Sequence, residues 1–163
     1  MSLTIVGDGD LRKDIEALTL KPALEDRVHL TGALPHRKVM EHLEKAHILM
    51  APSITTPSND QEGIPNVLKE AMATGLPVIS TRHSGIPELV EDGVSGFLVP
   101  EKDAEALADR LIHLADHPEV WGEMGRAGRA KVEAEYDIDK LNDRLVGLYE
   151  NLIATGPDKR VGS

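Results

Sequence analysis

The stretch EGIPNVLKEAMATGLPVIST, residues 62–81, carries the clearest structural signals in the chain. Pro65 suits the start of a helix, because its ring already fixes a helical backbone angle and it has no N–H to leave unpaired. Gly75 suits the end of that helix, since helices commonly close on a glycine in the left-handed conformation. The apolar run at 77–80 then predicts a buried strand. A helix followed at once by such a strand indicates an α/β sheet.

The same alternation continues on both sides of this stretch. Predicted strands cover 3–6, 28–31, 48–51, 77–80 and 96–99, and predicted helices cover 10–20, 35–45, 65–74 and 86–90. The strand at 3–6 is expected to be buried. Short strands that alternate with helices favour an α/β fold with a parallel sheet covered on both faces. The last third predicts C-terminal helices from 103, 118 and 137, and we expect the apolar stripe of the last one to be core.

The composition excludes several classes of protein. The 163 residues suit one domain, with 40% hydrophobic residues and a net charge of -10. That charge and only 2% aromatic residues argue against a nucleic-acid partner. The absence of cysteine excludes disulfides and thiol catalysis. A cytoplasmic location is the expectation, with no membrane contact through this chain.

Two glutamates, Glu62 and Glu70, flank the start of the central helix. Glu62 precedes the helix, and Glu70 lies roughly 7.5 Å along its axis. Between them the free N–H groups of the first turn, together with the helix dipole, favour an anion. Gly63 would let a ligand approach the backbone closely. From spacing alone, the simpler interpretation is that these acidic residues stabilise the helix by about 0.3–1 kcal/mol.

The residues around the two glutamates change that interpretation. The run 62–81 resembles the E-x7-E motif of retaining glycosyltransferases with the GT-B fold, and more closely the family called glycosyltransferase group 1, or family 4. Further similar stretches occur in the family's order: IVGDG at 5–9, LTG at 30–32, GIPELV at 85–90 and GVSGFLV at 93–99. DQEGIPN at 60–66 is similar to exopolysaccharide transferases, including the colanic acid type. The resemblance covers nearly the whole chain and implies a Rossmann-like sheet, one half of a GT-B fold.

The resemblance also implies the role of this half, which is to bind a nucleotide diphosphate sugar as donor. Glu70 would bind the ribose hydroxyls, and Glu62 would bind hydroxyls of the transferred sugar. Glu62 would be the residue closest to the reacting bond and is the predicted catalytic residue. The donor-binding segment between them would comprise Gly63, Ile64, Pro65, Asn66 and Val67. Leu34 would lie beside the base, and Gly7 near the cleft. The transfer would keep the anomeric configuration and need no metal or other cofactor.

The resemblance is incomplete at the start of the chain. The family's donor half normally begins with one more strand and helix, which carry an Arg and a Lys for the diphosphate, and an acceptor domain precedes it. We therefore expect a donor-binding domain at 1–155, truncated on its N-terminal side, with a flexible tail at 156–163. The missing acceptor domain would be a partner. In the family the last helical segment often packs across both halves, so part of its apolar stripe could be exposed here and promote self-association. Arg37, Lys38 or Arg82 could replace the missing charges, but we expect little or no transferase activity from this chain alone.

Two other functions stay open at this point. One is a stand-alone nucleotide- or carbohydrate-binding module in which Glu62 and Glu70 serve as ligands only. The other is a domain like that of a nucleotide-sugar epimerase, which would interconvert sugars without an acceptor. An upstream acceptor domain in the same gene would argue against the stand-alone module.

Three smaller patterns have ordinary structural interpretations. Asp8-Gly9-Asp10 looks like a metal-binding D-x-D, but a turn followed by a helix cap is favoured. His83, in the loop after the fourth strand, is a candidate for the cleft, although a surface or structural role is favoured. Glycines at 122, 125 and 128 recur every three residues and indicate close helix packing, since glycine otherwise weakens a helix.

Overall fold

The computed structural model describes residues 1–55 and 63–155, and within them the predicted alternation of strands and helices is confirmed. The elements are β1 Leu3–Val6, α1 Arg12–Thr19, β2 Val28–Gly32, α2 His36–Leu43, β3 Leu49–Ala51, α3 Asn66–Ala73, β4 Val78–Thr81, α4 Ile86–Leu89, β5 Gly96–Val99, α5 Ala104–Asp116, α6 Trp121–Glu135 and α7 Ile138–Thr155. A short 3-10 turn, Pro118–Val120, leads into α6. The last third is helical, as predicted.

All the paired strands are parallel, and they form two hydrogen-bonded sheets. β1 pairs with β2, with Leu3 opposite Val28, and a second sheet has the order β3-β4-β5. Within each sheet the carboxyl ends of the strands therefore lie at the same edge. The α/β, Rossmann-like class is confirmed, although the described strands are grouped into two ladders instead of one continuous sheet.

The second sheet is covered on both faces, as the sequence predicts. Successive residues of a strand point to opposite faces, so Val78 and Ile79 enter different apolar clusters. Val78 packs with Leu68 and Met72 of α3, and Ile79 packs with residues of α5 and α6. The helix that begins with Asn66 is thus fixed by its buried face against β4.

The glycines of α6 show how closely that helix approaches α3. A Cβ added at Gly125 would lie 2.0 Å from the carbonyl oxygen of Gly75, the residue that ends α3 with φ +82°. A Cβ at Gly128 would meet Met72 at 3.4 Å, an ordinary contact. Close packing is confirmed for these two glycines. Gly122 is exposed and faces only the tip of Arg126, so the prediction is wrong there.

Two predictions of burial are also wrong. Leu3 and Val6 of β1 are 37% and 36% exposed, because β1 has a single strand partner and no buried helix residue against it. The apolar stripe of α7 is exposed as well, with Leu148 at 60% and Leu152 at 67%. An amphipathic pattern identifies the apolar face of a helix but not what covers it. In the described part of the chain, no helix is both long and apolar enough to cross a bilayer.

Candidate functional site

The start of α3 is the segment in which the sequence predicts an anion cradle. Pro65 precedes the first helical residue with φ -57° and ψ 132°, and no side chain among the residues with described positions caps the helix. Gly63 is exposed, with no described atom within 4 Å of where its Cβ would be. The first-turn N–H groups, which have no partner inside the helix, can therefore donate to a bound anion that the helix dipole favours. The cradle predicted from the sequence stays a prediction.

Glu70, on the second turn of the same helix, is held by a residue of another element. Its Oε1 lies 3.0 Å from Nε2 of His36, the first residue of α2, and its side chain is 27% exposed. Within the part of the chain that the structure describes, Oε2 has no such partner. One carboxylate oxygen is thus oriented by an imidazole, and the other is available to accept a hydrogen bond from a hydroxyl.

The contact with His36 also brings the end of the first sheet to the site. Gly7 follows β1 with φ +143°, and Gly32 ends β2 with φ +73°. The Gly7 N–H donates to the Gly32 carbonyl at 3.0 Å. Half-buried Leu34 follows this turn and lies two residues before His36. The structure therefore places the predicted Leu34 in a segment that reaches Glu70, with Gly7 beside the start of that segment.

The D-x-D pattern forms a turn. Asp8 accepts from the Gly9 N–H at 2.9 Å and pairs with Arg12 at 2.9 Å. No side chain caps α1, so the expected helix cap is wrong. Among the residues with described positions, no group of three His, Asp or Glu side chains is arranged to hold a metal ion.

The three basic residues considered for the diphosphate are already paired with carboxylates. Arg37 and Lys38 both contact Glu41, at 3.5 and 2.7 Å. Arg82 contacts Asp92 at 2.5 Å. Glu41 has a pKa below its usual value, chiefly because of the hydrogen bond from Lys38. All three pairs are exposed, and Arg37 and Lys38 share the single carboxylate of Glu41, so these carboxylates offset only part of the positive charge.

A buried polar cluster lies at the carboxyl edge of the second sheet. His83, 1% exposed, contacts Glu101 through Nδ1 and Oε1 at 2.8 Å. Glu101 also accepts from the Thr55 N–H at 2.8 Å. That amide, and secondarily His83, holds the pKa of Glu101 below its usual range. The cluster therefore joins the segments that follow β3, β4 and β5 around one ionised carboxylate.

A separate hollow of about 240 Å³ opens on the α5 side of the second sheet. Its lining comes from the ends of β4 and β5 and the start of α5, and includes Thr81, Val99 and Lys102. None of the predicted donor-binding residues lines it. It does not coincide with the site at α3.

The sequence found some of these residues and missed others. Glu62, the predicted catalytic residue, lies outside the described residues, so its role stays a prediction. His36 was missed, although its position just after a strand end was a usable signal. Glu101 was missed as well, because its contacts with Thr55 and His83 join residues far apart in the chain.

Comparisons with known proteins agree with this geometry. Residues 1–117 match the family model described as glycosyl transferases group 1. The chain is 44% identical over 149 residues to the amylovoran biosynthesis glycosyltransferase AmsK of Erwinia amylovora. It is 43% identical over 150 residues to the putative colanic acid biosynthesis glycosyltransferase WcaL of Escherichia coli. Each alignment covers 91% of this chain and 37% of the relative, so the chain spans less than half the length of these relatives.

Solved structures show the same fold. The structure of sucrose-phosphate synthase from Thermosynechococcus elongatus matches with a TM-score of 0.79 at 30% identity, covering 95% of this chain and 39% of that one. The structure of Anabaena HepE in complex with UDP matches with a TM-score of 0.81 at 23% identity, covering 93% of this chain and 41% of that one. Both are GT-B structures. The chain therefore belongs to the glycosyltransferase group 1 family.

Proposed function

We propose that this chain is the donor-binding half of a retaining glycosyltransferase that takes a sugar from a nucleotide diphosphate sugar and transfers it to an acceptor in polysaccharide or glycoconjugate biosynthesis. The observation that carries the proposal is the start of α3, which no side chain at 1–55 or 63–155 caps, with Glu70 on the next turn of the same helix. An anion cradle and a hydroxyl acceptor on one rigid helix match the phosphate and ribose parts of such a donor.

The relatives support both the reaction and the pathway. AmsK is described as an amylovoran biosynthesis glycosyltransferase and WcaL as a putative colanic acid biosynthesis glycosyltransferase, and each is similar to this chain across 91% of its length. The HepE structure, which has the same fold, contains UDP. Because the chain spans 37% of the relatives' length, the acceptor and the complete reaction belong to the whole protein, with an N-terminal acceptor domain as partner.

Each predicted site residue has a role in this proposal. Glu70 accepts hydrogen bonds from the ribose hydroxyls, using Oε2 first while His36 orients Oε1. The amides of the segment from Gly63 to Val67 hold sugar or phosphate oxygens. The turn beside Gly7 and the segment at Leu34 lie next to the base. Glu62 binds hydroxyls of the transferred sugar.

The chain alone binds the donor weakly and has little or no transferase activity in this proposal. The support is electrostatic, because Glu41 and Asp92 offset part of the charge of Arg37, Lys38 and Arg82. A leaving diphosphate needs positive charge in the transition state, and these three cations supply it only in part. The proposal includes a metal-independent reaction and a cytoplasmic location. Transfer by the whole protein should accordingly persist in the presence of EDTA.

Ligand-observed NMR tests the proposal, because it detects binding at millimolar concentrations. The chain would be titrated with UDP, GDP, ADP and UDP-glucose. We expect binding of one nucleoside type that is lost in Glu70→Ala and kept in Glu44→Ala, an exposed glutamate at the end of α2. If no nucleotide binds, or if both variants behave like the wild type, the donor-binding function is wrong.

A further inference from the structure

His83 has a buried imidazole in which one nitrogen is hydrogen-bonded and the other has no partner among the described residues. Its side chain is 1% exposed, and Nδ1 contacts Glu101 at 2.8 Å. Nε2 is buried and has no hydrogen-bond partner among the described residues. Buried polar atoms are nearly always paired, so an unpaired one indicates a missing water, ion or ligand.

The tautomer of this ring follows from its partner. Glu101 is ionised, since the Thr55 amide and His83 keep the pKa of its carboxyl low. An ionised carboxylate only accepts hydrogen bonds, so Nδ1 carries a proton and donates to it. Nε2 is then an acceptor in the neutral ring and a donor once the ring takes a second proton. Glu101 is the charged group that contacts this ring at Nδ1, and neighbouring Arg82 pairs with Asp92.

The backbone places His83 beside the start of α3. The turn it begins contains Gly85, where an added Cβ would lie 2.9 Å from Cγ1 of Ile64. Ile64 lies within the segment that opens the anion cradle. Ser84, between His83 and Gly85, adopts φ +45°. This left-handed region costs a non-glycine residue free energy and is enriched at functional sites. The turn is thus held tightly against the candidate donor site.

We propose that Nε2 of His83 donates a hydrogen bond to a phosphate oxygen of the bound nucleotide sugar. In this complex the ring is an imidazolium, and its other nitrogen, Nδ1, donates to Glu101. This proposal rests on the donor-binding function above. A diphosphate diester offers only acceptors to Nε2, so the ring must gain a proton when it binds. His83 would then add to the positive charge of Arg37, Lys38 and Arg82, part of which Glu41 and Asp92 offset.

Proton uptake gives the proposal a distinctive pH dependence. UDP-glucose and GDP-mannose serve as probes because their diphosphate charge stays constant, and uridine and guanosine serve as phosphate-free controls. Affinity for the nucleotide sugar should rise as the pH falls, because the ring binds a proton together with the ligand. Affinity for the nucleoside should stay nearly constant.

His83→Asn separates a ligand contact from a structural role. The asparagine amide nitrogen lies near the position of Nδ1 and can keep the bond to Glu101, while the group at Nε2 is removed. We expect this variant to bind the nucleotide sugar roughly tenfold more weakly or worse, the size of a lost hydrogen bond to a charged group. It should bind the nucleoside as the wild type does. His29→Asn, at an exposed histidine of β2, is the matched control.

A spectroscopic measurement on the wild type needs no variant to fold. Nitrogen-15 NMR of the histidine rings reports the protonation of each nitrogen, and we expect Nε2 of His83 to become protonated when UDP-glucose or GDP-mannose is added. If the protonation of Nε2 does not change on addition of the nucleotide sugar, and if His83→Asn binds it as the wild type does, this inference is overturned. Weaker binding by Glu70→Ala in the same experiment would still support the donor site. No nucleotide binding by the wild type would overturn both.

Discussion

A single methyl group added to Gly125 should destabilise the protein and disturb the site helix. The Cβ of Gly125→Ala would lie 2.0 Å from the Gly75 carbonyl oxygen and 2.8 Å from its carbonyl carbon. Backbone atoms cannot rotate away, so α6 and α3 must separate. Forcing extra volume into such a contact costs about 3 kcal/mol, at the upper end of the usual range. Alanine returns about 1 kcal/mol through its better helix propensity, which leaves a net loss of roughly 2 kcal/mol.

Thermal denaturation can measure this loss, since 1 kcal/mol shifts the melting temperature by about 2–4 °C in a domain of this size. We expect Gly125→Ala to melt about 4–8 °C below the wild type. Gly122→Ala is the matched control, because its Cβ meets only the tip of Arg126 at 3.5 Å. That control should gain stability, by up to about 1 kcal/mol. A Gly125→Ala protein as stable as the control would refute the reasoning, as the close contact would then be absent.

Three further changes test other parts of the structure. The pKa of Glu101 is lowered, so its contacts should stabilise the protein at pH values above the usual glutamate pKa of about 4.3 and lose that effect at lower pH. Denaturant titrations should show that the difference in free energy of unfolding between wild type and Glu101→Gln shrinks in acid. Asp103 accepts from the Ala106 N–H at 2.9 Å, and Asp103→Ala should cost about 1 kcal/mol in the same assay. Leu148 is 60% exposed, and Leu148→Ser should weaken any concentration-dependent self-association seen by analytical ultracentrifugation.

Local signals predicted the central elements well. Pro65 and Gly75 delimit α3 as expected, because proline and glycine act on their own backbone angles and need no distant partner. Gly96 begins β5 as predicted, and Asp103 caps α5. The parallel arrangement followed from alternation alone. These features depend on residues near in sequence.

What the sequence could not predict depends on partners distant in the chain. The apolar residues of β1 and α7 were assigned to the core, yet whether a stripe is covered depends on elements that the pattern does not specify. The contact between His36 and Glu70 joins residues 34 positions apart. The burial of His83 likewise requires Glu101 and the segment at Thr55 to converge. A histidine in a loop gives no such information by itself.

The central claim is that Glu70 binds the ribose of a nucleotide donor, and a thermodynamic cycle tests it most directly. The affinities of the wild type and Glu70→Ala would be compared for the nucleoside diphosphate that binds and for its 2′,3′-dideoxy analogue. We predict that the wild type loses roughly tenfold or more in affinity when the hydroxyls are removed, since hydrogen bonds to a carboxylate are worth about 1.5–3 kcal/mol. Glu70→Ala should show almost no such loss. An equal loss in both proteins would contradict the account, because the hydroxyls would then bind elsewhere.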